Sequence, residues 1–172
     1  MIFDTHMHCD FSTDSSMSLE EAIAAAEKEN IGMIVTEHWD YDYPTNPSEF
    51  IFDLNAYYDK MCKFRSDKVL IGIEIGMQAH TIELDKNISA SHEFDFVLGS
   101  IHCMKRKDLY EEYCYEGLTR QEAVRDFLED SIYCITHNTD YAPDGLRSAD
   151  RKNRRSCILM LRGGQEWTRC CC

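Results

Sequence analysis

Apolar and polar positions change their spacing along the chain in a regular order. Four nearly continuous apolar runs predict buried strands at residues 1–8, 31–38, 69–76 and 94–102. After each run, apolar residues recur at three- and four-residue steps, which predicts helices at residues 18–30, 53–67, 82–92 and 119–135. Strands that are apolar on both faces and alternate with helices are typical of a parallel sheet covered by helices. The chain is therefore predicted to have an α/β fold of about four βα units, which is half of a barrel or a small open sheet.

Two of the predicted helices begin with a capping box. Ser18 precedes Glu21 by three residues, and Thr119 precedes Glu122 by the same spacing. In such a pair the hydroxyl accepts the backbone N–H of the glutamate, and the glutamate accepts the N–H of the capping residue. The pattern therefore predicts where these two helices begin.

Side chains able to bind metal lie at the end of every predicted strand. In chain order they are His6 and His8, Glu37 and His38, Glu74, and His102. The carboxyl ends of parallel strands meet at one edge of a sheet, where sites in α/β folds are built from several strands. Because His6 and His8 are two residues apart, the strand period of two points both imidazoles to the same side. We expect these side chains to meet.

Taken singly, each of these residues has an ordinary structural explanation. A strand-end histidine is usually hydrogen bonded, Glu74 could pair with a lysine, and loop carboxylates such as Asp10, Asp14 and Asp40 are usually solvated or form turns. However, a buried Glu74 is costly unless it is paired or binds a cation. Four strand-end signals in order would need four separate structural explanations. We therefore favour a site for several metal ions, and histidine with carboxylate suits Zn, Fe or Mn.

The length and charge of the chain narrow the classes of function. One domain accounts for 172 residues. The net charge of −13 argues against a nucleic-acid partner, because phosphate backbones are bound by surplus Lys and Arg. The apolar runs fall short of the roughly 18 residues of a membrane span, and Met1 leads directly into strand-like sequence rather than a signal region. We expect a cytoplasmic protein with no membrane partner.

The composition changes abruptly near Tyr141. Residues 1–141 contain 11 basic and 28 acidic side chains, whereas residues 142–172 contain 7 and 3. Four of the nine cysteines fall in the second segment, and three of them end the chain. We expect residues 142–172 to be an aberrant basic tail outside the fold. The five scattered cysteines before it are expected to be small buried apolar residues.

Four segments in order resemble motifs of the PHP (polymerase and histidinol phosphatase) superfamily. They are DTHMHCDFSTDS, VTEHWDYDY, GIEIGMQAH and DFVLGSIHCM. Among the branches of the superfamily, the resemblance is greatest to the monofunctional histidinol phosphatases, and it covers the chain to about Tyr141. It implies that residues 1–141 are the N-terminal part of a PHP metal-dependent hydrolase domain. The implied fold is a distorted (βα)7 barrel, incomplete in this chain, with metal ions at the carboxyl ends of its strands.

The resemblance assigns metal-binding roles to six residues. Those that match ligand positions of the family are His6, His8, Asp14, His38, Glu74 and His102. Glu74 would bridge two ions. His6 and His8 would also hold the first of these ions, and His102 would also hold the second. Asp14 and His38 would hold a third ion. The resemblance implies that the catalytic residues are the ligands of the two bridged ions, namely His6, His8, Glu74 and His102.

The resemblance also implies roles around the metal ions. Asp4 and Asp40 would orient imidazoles by hydrogen bonds from behind the ligands. His80 falls in a loop that would face the site and would contact substrate. His137, by contrast, is expected to be an ordinary histidine at a helix end.

The implied activity is metal-dependent hydrolysis of a phosphomonoester. Cations lower the pKa of bound water and neutralise the phosphate and the leaving oxygen. The resemblance implies two to three divalent ions, L-histidinol phosphate as the small substrate, and a step of histidine biosynthesis that yields histidinol and phosphate. Two alternatives stay open. One is another PHP phosphoesterase, either a phosphotyrosine phosphatase or a 3′–5′ exonuclease, and the other is a non-catalytic metal-binding fragment.

The tail departs from the family pattern. After THNTDY, family members continue into a strand that ends in Gly-His and then into the remaining βα units, which supply further ligands. A shifted reading frame or a truncated gene is the favoured explanation, and a natural divergent terminus whose cysteines bind metal or a partner is the alternative. A shortened barrel would have open sheet edges, so self-association and little activity are expected.

Overall fold

The computed structural model describes residues 1–138 and the backbone of residues 155–158. Within these ranges the strands are β1 (Phe3–Met7), β2 (Gly32–Val35), β3 (His38–Trp39), β4 (Val69–Gly76), β5 (Phe96–Ser100), β6 (Cys103–Met104), β7 (Lys107–Asp108) and β8 (Arg155–Ile158). The helices are α1 (Leu19–Glu29), α2 (Leu54–Cys62), α3 (Ile82–Ser91) and α4 (Arg120–His137), and a 3-10 helix spans Glu112–Tyr115. None of the helices in the described ranges is long and apolar enough to cross a bilayer.

One parallel sheet organises the fold. Its strand order is β1-β2-β4-β5-β8, and β3 also pairs with β4. All of these pairings are parallel, and their register places His38 beside Glu74. The carboxyl ends of β1, β3, β4 and β5 therefore lie along one edge of the sheet. The predicted α/β fold with strands and helices in alternation is confirmed.

Capping side chains fix where the helices begin. Ser18 Oγ accepts the N–H of Glu21 at 3.2 Å, and Glu21 accepts the N–H of Ser18 at 2.9 Å. Thr119 and Glu122 exchange the same two bonds at 3.3 and 2.8 Å. Both predicted capping boxes are confirmed, and Asp53 caps α2 through its carboxylate.

The second predicted strand is interrupted. β2 ends at Val35, and pairing resumes at His38 in β3. Between them, the backbone N–H of Thr36 bonds to the carbonyl of Met7 at 2.9 Å. The prediction of one continuous strand over 31–38 is wrong, because Glu37 lies in the break and its buried carboxylate binds donors of the loop after β1.

A hairpin that the sequence did not predict follows β5. β6 and β7 pair antiparallel through a turn whose central residues are Lys105 (φ 49°) and Arg106 (φ 62°). Two successive left-handed residues are typical of a type I′ turn, which usually contains Asn and Gly. A Lys-Arg pair gives no such signal, so the pattern of the sequence could not reveal the hairpin.

Apolar residues from the sheet and the helices form the main core. Ile71, Ile73 and Ile75 of β4 are fully buried, as is Tyr57 of α2. The Tyr57 hydroxyl lies 2.7 Å from the carbonyl of Gly72, to which it donates, and this contact fixes α2 on the sheet. The expectation of burial is wrong for Cys62, which is exposed, and is confirmed for the other four described cysteines: Cys9, Cys103, Cys114 and Cys134.

The last strand falls in the segment that the sequence placed outside the fold. The backbone of β8 pairs with β5, from Arg155 opposite Phe96 to Ile158 opposite Gly99. The rest of residues 142–172, including the terminal cysteines, lies outside the described residues. The division of the chain near Tyr141 stays a prediction.

Candidate metal centre

The end of β1 brings two imidazoles to one carboxylate of β4. His6 Nε2 and His8 Nε2 each lie 2.8 Å from Glu74 Oε2. The centroids of the two rings are 5.2 Å apart. The two histidines therefore face the same side of β1, as their spacing predicted, and direct the same ring nitrogen at a single oxygen.

Glu74 also connects this pair to the end of β5. Its second oxygen, Oε1, lies 3.1 Å from Nε2 of His102, and the Glu74 residue is 1% exposed. Burial alone would raise the pKa of Glu74, but hydrogen bonds from the imidazoles of His102, His6 and His8 hold the pKa well below its usual range. The carboxylate is therefore ionised, and its two oxygens face different imidazoles. This geometry suits a ligand shared by two cations.

Asp40 lies on the other side of His102. Its Oδ2 atom is 2.6 Å from Nδ1 of His102, and its Oδ1 atom is 3.6 Å from Nδ1 of His38. Burial would raise the pKa of Asp40, but the two imidazoles lower it to about 2. A carboxylate that accepts the Nδ1 proton leaves Nε2 as the free ligand atom. The contact supports the orienting role predicted for Asp40.

A glycine makes room for this carboxylate. A Cβ atom at Gly76 would lie 2.3 Å from Cγ of Asp40 and 2.4 Å from its Oδ1. Both distances are far below van der Waals contact, so a larger residue would displace Asp40. Sequence reasoning treated this segment of β4 only as the apolar surroundings of Glu74.

Asp14 and His38 complete the cluster. Asp14 Oδ2 lies 3.1 Å from Nδ1 of His8 and 3.4 Å from Nε2 of His38. His38 is 3% exposed, and neither of its ring nitrogens has a hydrogen-bond partner within the described residues. A buried imidazole in this state is costly, and a cation between it and the nearby carboxylates would remove the cost.

Three overlapping sets of ligand atoms result. They are His6 with His8 and Glu74, His8 with Asp14 and His38, and His38 with Glu74 and His102. Within each set the ligand atoms all lie within 4.8 Å of one another. Two imidazoles and one carboxylate form a donor set suited to a divalent transition metal or zinc. The structure thus brings together all six predicted ligands, and the cluster fits a divalent metal ion.

The carboxylates also raise the pKa of the imidazoles. Burial alone lowers the pKa of His8, but Asp14 and Glu74 raise it to about 9. Burial likewise opposes charge on His102, whereas Asp40 and Glu74 raise the pKa of His102 to about 10. Near pH 7 both imidazoles therefore hold an extra proton in the metal-free protein. These protons must leave when a cation binds.

Glu37, which the sequence grouped with the strand-end ligands, binds backbone instead of imidazoles. Its Oε1 accepts the N–H of Cys9 at 2.9 Å, and its Oε2 accepts the N–H of Ser12 at 3.0 Å. The Ser12 hydroxyl donates to Glu37 and accepts the N–H of His38 at 2.8 Å. Glu37 and Ser12 therefore hold the loop that carries His8 against β3. Sequence reasoning missed Ser12, because a single serine in a loop carries no distinguishing signal.

Three other residues considered in the sequence, Asp4, His80 and His137, lie outside the cluster of imidazoles around Glu74. Asp4 accepts the backbone N–H of His6 at 3.3 Å, so its contact with the site is through the main chain. His80, in the loop after β4, directs Nε2 at Asp42 Oδ2, 2.9 Å away. His137 Nδ1 lies 2.8 Å from a backbone carbonyl of α4, and this confirms its interpretation as a helix-end histidine.

A small cavity adjoins the cluster. It has a volume of about 20 Å³ and is lined by His38, Asp40 and His102 together with Tyr43, Phe50, Leu109 and Tyr110. The Tyr43 hydroxyl donates to Asp108 at 2.8 Å, which fixes the ring in the wall. A larger groove of about 470 Å³ lies near Val69, at the opposite end of β4 from the ligands. The small cavity therefore opens onto the metal centre, and the larger groove does not.

Comparison with known families identifies the class of protein. The PHP domain family matches residues 4–156. This span is well over half of the chain and contains all six residues of the candidate metal centre. The chain belongs to the PHP domain family, which confirms the membership expected from its four motifs.

Two curated relatives of this chain are named as histidinol phosphatases. The protein named probable histidinol-phosphatase of Clostridium acetobutylicum is 47% identical over 135 residues, which cover 78% of this chain and 52% of that protein. The histidinol-phosphatase of Lactococcus lactis subsp. lactis is 28% identical over 136 residues, which cover 73% of this chain and 48% of that protein. The chain spans about half the length of the curated relatives it matches.

A solved structure shares the fold. It is the crystal structure of histidinol phosphate phosphatase from Lactococcus lactis subsp. lactis, complexed with zinc, L-histidinol and phosphate. The similarity has a TM-score of 0.71 at 26% identity and covers 78% of this chain and 53% of that chain. The sheet described above is therefore an incomplete PHP barrel, as the four predicted βα units indicated.

Proposed function

We propose that this chain is a metal-dependent phosphomonoester hydrolase that converts L-histidinol phosphate to histidinol and phosphate in histidine biosynthesis. The proposal depends above all on the three ligand sets that meet around Glu74. Its substrate is supported by similarity to two histidinol phosphatases and to a structure that contains histidinol and phosphate.

The proposed cofactors are two to three divalent ions, with Zn, Fe or Mn as candidates. Neighbouring ligand sets share His8, His38 or Glu74, which supports ions held side by side. Zinc is favoured by its presence in the Lactococcus structure. Divalent ions in such a site activate water for attack on phosphorus and neutralise the phosphate oxygens.

The proposed catalytic residues are Glu74 and the three histidines that surround its carboxylate. His6, His8 and His102 each direct Nε2 at Glu74, at 2.8, 2.8 and 3.1 Å. Asp40 would keep the proton of His102 on Nδ1, so that Nε2 remains available. Three imidazole nitrogens and the Glu74 carboxylate therefore already lie close enough together to bind a divalent ion.

Two further residues complete the proposed roles. Asp4 would steady the backbone of His6 through the bond to its N–H. His80 is proposed to contact substrate, because its loop follows β4 directly after the site-bearing segment and its side chain is 31% exposed. Its bond to Asp42 would hold the imidazole at the rim.

A non-catalytic metal-binding fragment is the second candidate. It is supported by the ligand sets around Glu74, which would bind cations whether or not hydrolysis follows.

Self-association and a cytoplasmic location stay predictions. α4 exposes apolar side chains at every fourth residue, with Val124, Leu128 and Ile132 exposed by 52, 47 and 59%. β1 is an edge strand of the sheet within the described residues. Exposed apolar stripes and open edges both favour association, so we expect the purified chain to sediment as more than a monomer.

Phosphate release from three substrates tests the proposed function. The zinc-loaded full chain is assayed for phosphate release from histidinol phosphate and from phosphotyrosine and for nucleotide release from single-stranded DNA, and we expect activity on histidinol phosphate alone. His6→Ala should lose at least one zinc and abolish release, because it removes one of three atoms of a ligand set. Zinc loading without release from any substrate would favour the non-catalytic fragment, and preferential release from another substrate would favour another branch of the family.

A further inference from the structure

Three loops meet at the rim of the metal centre and carry a charged cluster of their own. Each loop follows a strand that supplies a ligand: Asp42 comes after β3, His80 after β4 and Arg106 after β5. His80 Nε2 lies 2.9 Å from Asp42 Oδ2, and Arg106 Nη2 donates to the same oxygen at 2.5 Å. One carboxylate thus joins an imidazole and a guanidinium at the carboxyl edge of the sheet.

The backbone of this cluster is held in an unfavourable conformation. Asp42, Lys105 and Arg106 have φ values of 52, 49 and 62°, in the left-handed region that residues other than glycine rarely adopt. Such residues persist only where surrounding contacts enforce them, and they concentrate at ligand-binding sites. Three of the four such residues in the described chain belong to this cluster or to its hairpin.

Contacts with α4 enforce the hairpin conformation. The backbone N–H of Lys105 donates to Asp130 at 2.5 Å, and its ammonium lies 2.6 Å from Asp126. Both carboxylates belong to α4, so the turn is clamped to a helix at the residue before Arg106. Lys105 is used for this clamp, and Arg106 beside it at the tip is bonded to Asp42.

The hairpin also lies against the metal ligands. The backbone N–H of Leu109, just after β7, donates to the carbonyl of His102 at 3.1 Å. Leu109 and Tyr110 line the small cavity together with His38 and His102. The base of the hairpin that presents Arg106 is therefore anchored to the residue that supplies a ligand from the end of β5.

We propose that Arg106 binds the phosphate group of the substrate and that Asp42 and His80 hold its guanidinium in position. This inference rests on the proposed function. Arg106 is 64% exposed at its side chain, and its bond to Asp42 uses one N–H of Nη2, which leaves four of the five N–H donors for another acceptor. A guanidinium matches two phosphate oxygens in a way that an ammonium does not.

Binding of inorganic phosphate to the zinc-loaded full chain tests this inference. Arg106→Asn is the informative variant, because asparagine tolerates a left-handed backbone and so keeps the turn while the charge is lost. We expect isothermal titration to show about a 10–100-fold weaker phosphate affinity, the usual effect of losing charge-assisted hydrogen bonds. Lys107→Gln is the matched control, since Lys107 belongs to the same hairpin and its ammonium lies 3.5 Å from the carbonyl of Tyr113.

The outcomes separate this inference from the proposed function. Equal phosphate affinity in Arg106→Asn and the unsubstituted chain, the same loss in Lys107→Gln, or no phosphate binding by the zinc-loaded chain would overturn the role of Arg106. Hydrolysis of histidinol phosphate could still occur in any of these cases. A zinc-loaded chain that binds phosphate through Arg106 but hydrolyses no phosphomonoester would overturn the proposed function and leave the binding role intact.

Discussion

Replacing Asp40 with asparagine removes the charge that holds His102 in its ligand orientation. Asp40 Oδ2 lies 2.6 Å from Nδ1 of His102, and Asp40 is 1% exposed, so solvent does not replace the contact. Carboxylates behind ligand imidazoles typically contribute about 10–100-fold to metal affinity. The same substitution also has an effect that favours zinc binding. The pKa of His102 is about 10 in the native protein and falls without Asp40, so zinc displaces the proton of His102 more easily. Measured losses for such substitutions already include this effect, so we expect a net loss of about 10–100-fold in zinc affinity.

Competition with a chromophoric zinc chelator near pH 7 measures this affinity. Asp108→Asn is the matched control, because Asp108 is also buried, at 5% exposure, and accepts the hydroxyl of Tyr43 rather than an imidazole. It should retain the zinc affinity of the unsubstituted chain, and circular dichroism should show both variants folded. An unchanged affinity in Asp40→Asn, or an equal loss in Asp108→Asn, would refute the reasoning.

Three further predictions follow from the same contacts. Zinc affinity should rise with pH from about 7 up to about 9 to 10 and then level off, because His8 and His102 of the metal-free protein hold protons below that pH, and calorimetry near pH 7 should show proton release on zinc binding. Gly76→Ala should weaken zinc binding as Asp40→Asn does, with little added effect in the double variant, because its Cβ would displace the Asp40 carboxylate. Tyr57→Phe should lower the free energy of unfolding by about 1–2 kcal/mol in urea titrations without changing zinc affinity, because it removes a buried bond to the sheet.

The ligands could be predicted from the sequence because their positions follow from local rules. The period of two placed His6 and His8 on one side of β1, and the parallel edge placed Glu74 and His102 beside them. The burial of Glu74 could likewise be inferred from the apolar residues on either side of it. These inferences need the strand type and direction but no knowledge of loops.

The supporting contacts could not be predicted because they join residues far apart in sequence. The bonds of Glu37 to Cys9 and Ser12 depend on where the loop after β1 folds back, and the close approach of Gly76 to Asp40 depends on how two strands lie side by side. The hairpin carrying Arg106 uses a turn without its usual residues. In each case tertiary contacts override the local preference of the sequence.

The zinc content of the full chain tests the central claim most directly, namely that four strand ends form one shared centre for more than one divalent ion. Atomic emission after dialysis against buffered zinc would be compared with Glu74→Gln, which removes the carboxylate common to two ligand sets, and with His92→Gln, whose imidazole lies 3.1 Å from Asn55 outside the centre. We expect more than one zinc per chain in the unsubstituted protein and in His92→Gln, and a loss of at least one in Glu74→Gln. Retention of no zinc by the unsubstituted chain, or equal loading of all three proteins, would contradict the account.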